Sequence, residues 1–236
     1  MQRKSQQPVD TRGDLVAAAA RLFETHGYDA TSVQEIIDAA QVSKGTFYHH
    51  FQSKQEILDA VVARMTGDFL ESIEPTVAEP SRSAVDKLRL FLDASQRWRS
   101  AHLPLVRETL RVLMRDENAI IRHKVDRQRR ARAGPVLAAI VRQGMREGVF
   151  DAPDPENTAD LLLQLGSLLS EKNALLLLDG EASAADVATI KRDVDFAIDA
   201  IERLLGARRG TLERIEEAVV AELARAFAEG VALTAR

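Results

Sequence analysis

Two adjacent histidines, His49 and His50, stand in a stretch that also holds Lys44, Thr46, Tyr48 and Lys54. Such groups could ligate a metal, move a proton or hydrogen-bond an anion. On a helix, sequence neighbours point about 100° apart, so His49 and His50 make poor joint ligands. The other histidines, His26, His102 and His123, complete no paired-histidine metal spacing. The chain has no cysteine, so thiolate sites, disulfides and cysteine nucleophiles are ruled out. It has no glycine-rich phosphate loop, and Gly166-Ser167 runs into Leu168-Leu169 instead of completing a G-x-S-x-G turn. Carboxylates are plentiful but scattered. The sequence therefore predicts no enzyme, no metal and no cofactor. The chemistry left to the His49 region is hydrogen bonding to phosphates and base edges.

The elements that must position these groups lie in Thr31 to Lys54, TSVQEIIDAAQVSKGTFYHHFQSK. This reads as two short helices joined by the turn Gln41-Val42-Ser43. Val33, Ile36, Ile37 and Ala40 give the first helix an apolar face. Val42 plugs the turn, and Phe47 and Phe51 face inward on the second helix. Gly45, Thr46 and His49 then point to the opposite side, flanked by Tyr48 and His50. This is the helix-turn-helix arrangement, whose second helix enters a DNA major groove. Gly45 lets a duplex come close, Thr46 offers a methyl or a hydroxyl, and Tyr48, His49 and His50 can hydrogen-bond phosphates or bases. The formal net charge of −4 argues against a nucleic-acid partner. Gln41 to Lys54 nevertheless holds two lysines and no acid, so the patch is locally positive.

Several residues carry a resemblance: Gly27-Tyr28, Thr31-Ser32-Val33, Ile36, Ala39-Ala40, Val42-Ser43, the run Gly45 to Phe51, Ser53-Lys54 and Leu58. Over roughly residues 10 to 60 the chain resembles the DNA-binding domain of the TetR family of bacterial transcriptional regulators. VSKGTFYHHFQSK is far more specific than a generic two-helix pattern. The resemblance implies that Thr31 and Ser32 touch a phosphate, with Gln34 beside the groove edge. It makes Lys44, Gly45, Thr46, Tyr48 and His49 the recognition surface, with His50 and Lys54 anchoring phosphates. It also implies a homodimer on a palindromic operator of double-stranded DNA, released by a small-molecule effector, with repression the expected outcome. The competing reading is an interaction protein that docks a protein partner through the same face. One departure is Gln41, where the family commonly has glycine. If φ is positive there, glutamine costs about 1 kcal/mol. An N-terminal arm with Arg3, Lys4 and Arg12 could reach a neighbouring groove or stay unordered.

The expected fold class is all-α: an N-terminal three-helix helix-turn-helix domain over residues 1–56, then a larger helical ligand-binding and dimerisation domain over 57–236. The composition, 45% apolar and 29% charged, is that of an ordinary globular protein. The longest uncharged run, Leu161 to Ser170, is ten residues. A membrane helix needs about 20, so no membrane association is expected. The N-terminal MQRKSQQPVD has no apolar stretch behind its charge, so a cytoplasmic location is expected.

In the second domain, Val187, Ile190, Val194, Ala197, Ile198, Ile201, Leu204 and Leu205 form a stripe at helical spacing. The preceding helix, Leu161 to Leu178, is apolar nearly all round, which predicts burial on every side. Both helices are expected to pair with those of a second copy, or else to be internal core. Candidate pocket residues are Phe91, Trp98, His102 and Met114, with Gln164, Ser167 and Asn173 as polar groups. Arg122 to Arg132, RHKVDRQRRAR, carries six basic residues and one acid. It reads as a solvated helix face, a pocket rim for an anionic ligand, or a further nucleic-acid contact. A last helix is expected from Leu212 to Glu229, shielding the bundle or extending it.

Overall fold

A computed structural model describes residues 10–178 and 182–229. Arg3 and Lys4 lie outside the described residues. Every regular element among the described residues is helical, and the chain packs as two units that divide between Arg64 and Met65.

The first unit begins with α1, Thr11–His26, whose first turn is capped by Asp10 accepting from Gly13 N at 3.0 Å. Its buried face is Leu15, Val16, Ala18, Ala19 and Phe23. Gly27 ends it at φ 83°, a conformation that favours glycine. Next comes α2, Val33–Ala39, closed by a capping box. Ser32 Oγ accepts from Glu35 N at 3.1 Å, and Ser32 N donates to the Glu35 carboxylate at 2.6 Å. Then α3, Lys44–His50, starts at Ser43, whose hydroxyl accepts from Thr46 N at 3.0 Å. Finally α4, Lys54–Ala78, runs past the division between the units. Phe47 is fully buried, and its ring lies 6.0 Å from that of Phe51. Burial of such a ring contributes roughly 2–3 kcal/mol and fixes which face of α3 points outward.

The second unit contains α5, Ala84–Ala101; α6, Leu103–Leu113; α7, Ala119–Arg146; α8, Pro155–Leu177; α9, Ala184–Leu204; and α10, Glu217–Glu229. A 3-10 turn, Asp116–Asn118, leads into α7. α7 and α8 run antiparallel, because Arg122 pairs with Glu171 at 3.6 Å while Arg130 pairs with Asp160 at 2.7 Å. The core around them includes Leu88, Phe91, Leu137, Ile140, Val141 and Leu205.

One open alternative is narrowed and two expectations change. Of the α9 stripe, Ile190, Ala197 and Ile198, with Leu205 just past the helix, are core, the second of the two readings; Val187, Val194, Ile201 and Leu204 are half-buried, and Phe196, outside the stripe, is 70% exposed. α8 is not covered all round, since Leu161, Leu168, Leu175 and Leu176 are exposed. A single chain supplies neighbours for only part of that helix. The last helix starts at Glu217, not Leu212, because the buried Glu202 carboxylate accepts from Gly210 N at 3.1 Å and Leu212 N at 2.9 Å. Those bonds hold the incoming chain out of the helix. α10 then packs on α9, with Val220 and Ala224 against Leu177 and Ile190, so it shields that end.

Candidate nucleic-acid interface and effector cleft

Packing of Phe47 inward presents Lys44, Gly45, Tyr48 and His49 to solvent, with Thr46 and His50 half-buried beside them. Thr46 Oγ1 lies 2.7 Å from Ser43 Oγ, which orients its methyl and hydroxyl at the start of α3. The Tyr48 ring packs edge-on to Phe47 at 5.3 Å, leaving its outer part free. Gly45 has no internal reason to be glycine. A Cβ there would meet only Ser43 Oγ, at 3.7 Å, and its φ is not positive. Glycine in a helix costs up to about 1 kcal/mol relative to alanine, so nothing in the packing of α3 favours it at this position. Gln41, in the turn before α3, has φ 55°, so the condition under which glutamine is costly there is met.

Ser32 and Gln34 lie exposed at the start of α2, and Gln34 Nε2 donates to Asp38 at 2.8 Å. The Ser32 backbone N–H, and then its hydroxyl, hold the Glu35 carboxyl below its ordinary pKa.

Two residues differ from expectation. Thr31 is 1% exposed, and its hydroxyl donates inward to Gly27 O at 2.8 Å. Its side chain is therefore turned away from any phosphate. Lys54 directs its ammonium at the carbonyls of Tyr28 (2.8 Å), Asp29 (3.4 Å) and Thr31 (2.8 Å), over the Tyr28 ring at 4.3 Å. An ammonium has three donors, so this one fastens the α1–α2 loop instead of reaching outward. Arg12 lies in α1, with its guanidinium 5.1 Å from the Phe51 ring centre.

The second feature is a cleft of about 760 Å³ between α6, α7, α8 and α9. Three of the candidate pocket residues, Met114, Gln164 and Ser167, line it, together with Arg122, His123 and Arg129 of the basic run. Phe91, Trp98, His102 and Asn173 are not on it. Phe91 is core, edge-on to Phe69 at 5.6 Å. Trp98 and His102 stack on each other at 4.3 Å across the end of α5. Asn173 is half-buried on another face of α8. Sequence reasoning missed Leu110, Leu165, Phe196 and Arg203, which also line the cleft. Their spacing is that of any packed helix, and nothing in it marks them as lining a cleft.

A helix-turn-helix with an outward recognition face, followed by a helical unit with an apolar cleft, defines a DNA-binding transcriptional regulator. Residues 15–61 match the family described as bacterial regulatory proteins, tetR family. The chain is 27% identical over 154 residues to the HTH-type transcriptional repressor KstR2 of Mycobacterium tuberculosis, covering 64% of this chain and 74% of that one. It is 34% identical over 83 residues to the repressor DhaR of a Mycobacterium species, covering 35% of this chain and 42% of that one. Its fold is similar to that of the TetR-family repressor FadR of Thermus thermophilus, solved with lauroyl-CoA. That match has a TM-score of 0.60 and 22% identity and covers 87% of this chain and 97% of the other. Residues 15–61 therefore carry the DNA-binding domain of the TetR family of bacterial regulatory proteins. No helix among the described residues is long and apolar enough to cross a membrane.

Proposed function

We propose that this chain is a cytoplasmic repressor that binds a palindromic operator as a homodimer, is released by a small molecule in the α6–α9 cleft, and catalyses no reaction. The observation that carries the reading is the outward face of α3, where Gly45 lies open among Lys44, Tyr48 and His49. Lys44, Gly45, Thr46, Tyr48 and His49 read the groove in this proposal. Ser32, Gln34 and His50 contact the backbone, while Thr31 and Lys54 position the loop that carries Ser32. The boundary of the DNA-binding domain falls early in α4, near residue 56. A two-fold site needs a two-fold protein. The apolar residues left exposed on α8 and α9, with Leu168 at 64% and Phe196 at 70%, are the surface for a second copy, which would then border the cleft that both residues line.

The test is selection of a random duplex library on the purified protein at fixed, near-physiological salt. An inverted repeat is expected, with half-sites about 34–36 Å apart or a multiple of that. Enrichment of no sequence by folded protein, before and after refolding to strip ligand, would sink the proposal in favour of a protein partner.

A further inference from the structure

Affinity for a duplex comes largely from cations set against the phosphates beside the groove. Residues 10–64 carry Arg12, Arg21, Lys44, Lys54 and Arg64 against eight carboxylates. Folding removes one of these cations from the DNA side, since the Lys54 ammonium is spent on the carbonyls of Tyr28, Asp29 and Thr31. Arg64 stands ten residues further along α4, about 15 Å by the rise of a helix. Lys44 is exposed in the first turn of α3. The other end of α3 has no lysine or arginine of its own.

Arg12 brings one there from α1. Its guanidinium lies 5.1 Å from the centre of the Phe51 ring. Phe51 closes α3: its N–H donates to Phe47 O at 2.8 Å, and its side chain is buried. The cation is therefore seated on a ring fixed to the end of α3, while Arg12 itself stays exposed. A cation–π contact uses the charge of a guanidinium and none of its five N–H donors. No acceptor among the described residues takes those donors up. The positions three and four along α1 are Leu15 and Val16, so its own helix offers no carboxylate there. Asp10 is turned to Gly13 N at 3.0 Å, and Asp14, two positions on, points about 200° away round the helix. Arg21, the other arginine of α1, is nine positions on and so lies on the opposite side of the helix. An exposed cation gains little from a phenylalanine face, so packing alone gives Arg12 little reason to carry its charge.

We propose that Arg12 is a phosphate anchor, holding the DNA backbone at the C-terminal end of α3 while Lys44 works at its start. His50, whose ring lies 6.5 Å from that of Phe51, stands beside it. The anchor fixes the register of α3 on the duplex and reads no base. This rests on the reading of α3 as the recognition helix. Sequence alone groups Arg12 with an N-terminal arm, and the fold places it in α1 against α3.

The test is fluorescence anisotropy of the full chain on the selected operator and on an unrelated duplex, across a salt series. Arg12→Met keeps an apolar stem over Phe51 and removes the charge. It should weaken binding of both duplexes alike, roughly tenfold at near-physiological salt, and flatten the slope of log Kd against log salt by about one unit. Arg12→Gln should flatten it equally, so a folding defect particular to one side chain cannot carry the result. Arg12→Lys should restore most of the slope. Arg21→Met removes an equal charge from the opposite side of α1 and should leave the slope as in the parent. An unchanged slope in Arg12→Met and Arg12→Gln, the same flattening in Arg21→Met, or a loss confined to the operator would overturn the proposal. Operator binding by the parent with an unchanged slope in the Arg12 variants defeats only the anchor. A parent that enriches no duplex defeats the repressor reading, and the anchor with it.

Discussion

Replacement of Gly45 by alanine separates folding from recognition. Gly45 lies in the first turn of α3, and the added methyl would meet only Ser43 Oγ, at 3.7 Å, an ordinary van der Waals contact. No backbone has to move, and the helix gains the propensity difference, about 0.5–1 kcal/mol. Urea unfolding followed by circular dichroism should therefore show a higher midpoint at unchanged slope. In a groove the same methyl stands where a base edge or phosphate must pass, and a displacement of that kind costs a contact worth about 1–3 kcal/mol. Fluorescence anisotropy on the selected operator should show a Kd at least tenfold weaker than that of the parent protein, the fold-change of about 1.4 kcal/mol. The two changes have opposite signs, so a folding defect cannot mimic the result. If Gly45→Ala binds the operator as tightly as the parent, α3 does not approach the duplex on this face, and the assignment of the recognition surface is wrong.

Gln41→Gly relieves the positive φ of 55° and should raise stability by about 0.5–1 kcal/mol in the same unfolding assay. Lys54→Met removes an ammonium shared by three carbonyls and should lower stability by about 2 kcal/mol. It should also leave the slope of log Kd against log salt unchanged, whereas loss of a phosphate contact would flatten that slope by about one unit. Glu35 is held below its ordinary pKa by the Ser32 N–H, so the capping box stabilises α2 above the unfolded carboxyl value near 4.3. That contribution should fade as pH falls through the lowered folded value. Glu35→Gln should show less acid-side loss in a pH series of unfolding midpoints.

The sequence by itself determined the parts of this protein that depend on local geometry. A capping serine, an apolar i, i+4 pair and a three-residue turn are enough to place Ser32, Phe47 and Phe51, because helix periodicity fixes which side chains share a face. The positive φ at Gln41 was raised only as a condition by the resemblance, whose members commonly have glycine there, and the backbone meets that condition. Tertiary structure decided what depends on which long-range neighbour a group finds. Lys54 reads as a surface cation until folding brings the carbonyls of Tyr28 and Thr31, more than twenty positions away, within 2.8 Å. The α9 stripe and Phe196 have the same apolar character in sequence, yet Ile190, Ala197 and Ile198 of the stripe became core and Phe196 stayed out, because helix α8 covers only one side. Arg122, Arg129 and Arg130 are equivalent within a basic run. Only the antiparallel packing of α7 on α8 paired some of their donors with Glu171, Asp126 and Asp160 and left others of Arg129 facing the cleft. Periodicity assigns a residue to a helix face, and only packing decides what that face meets.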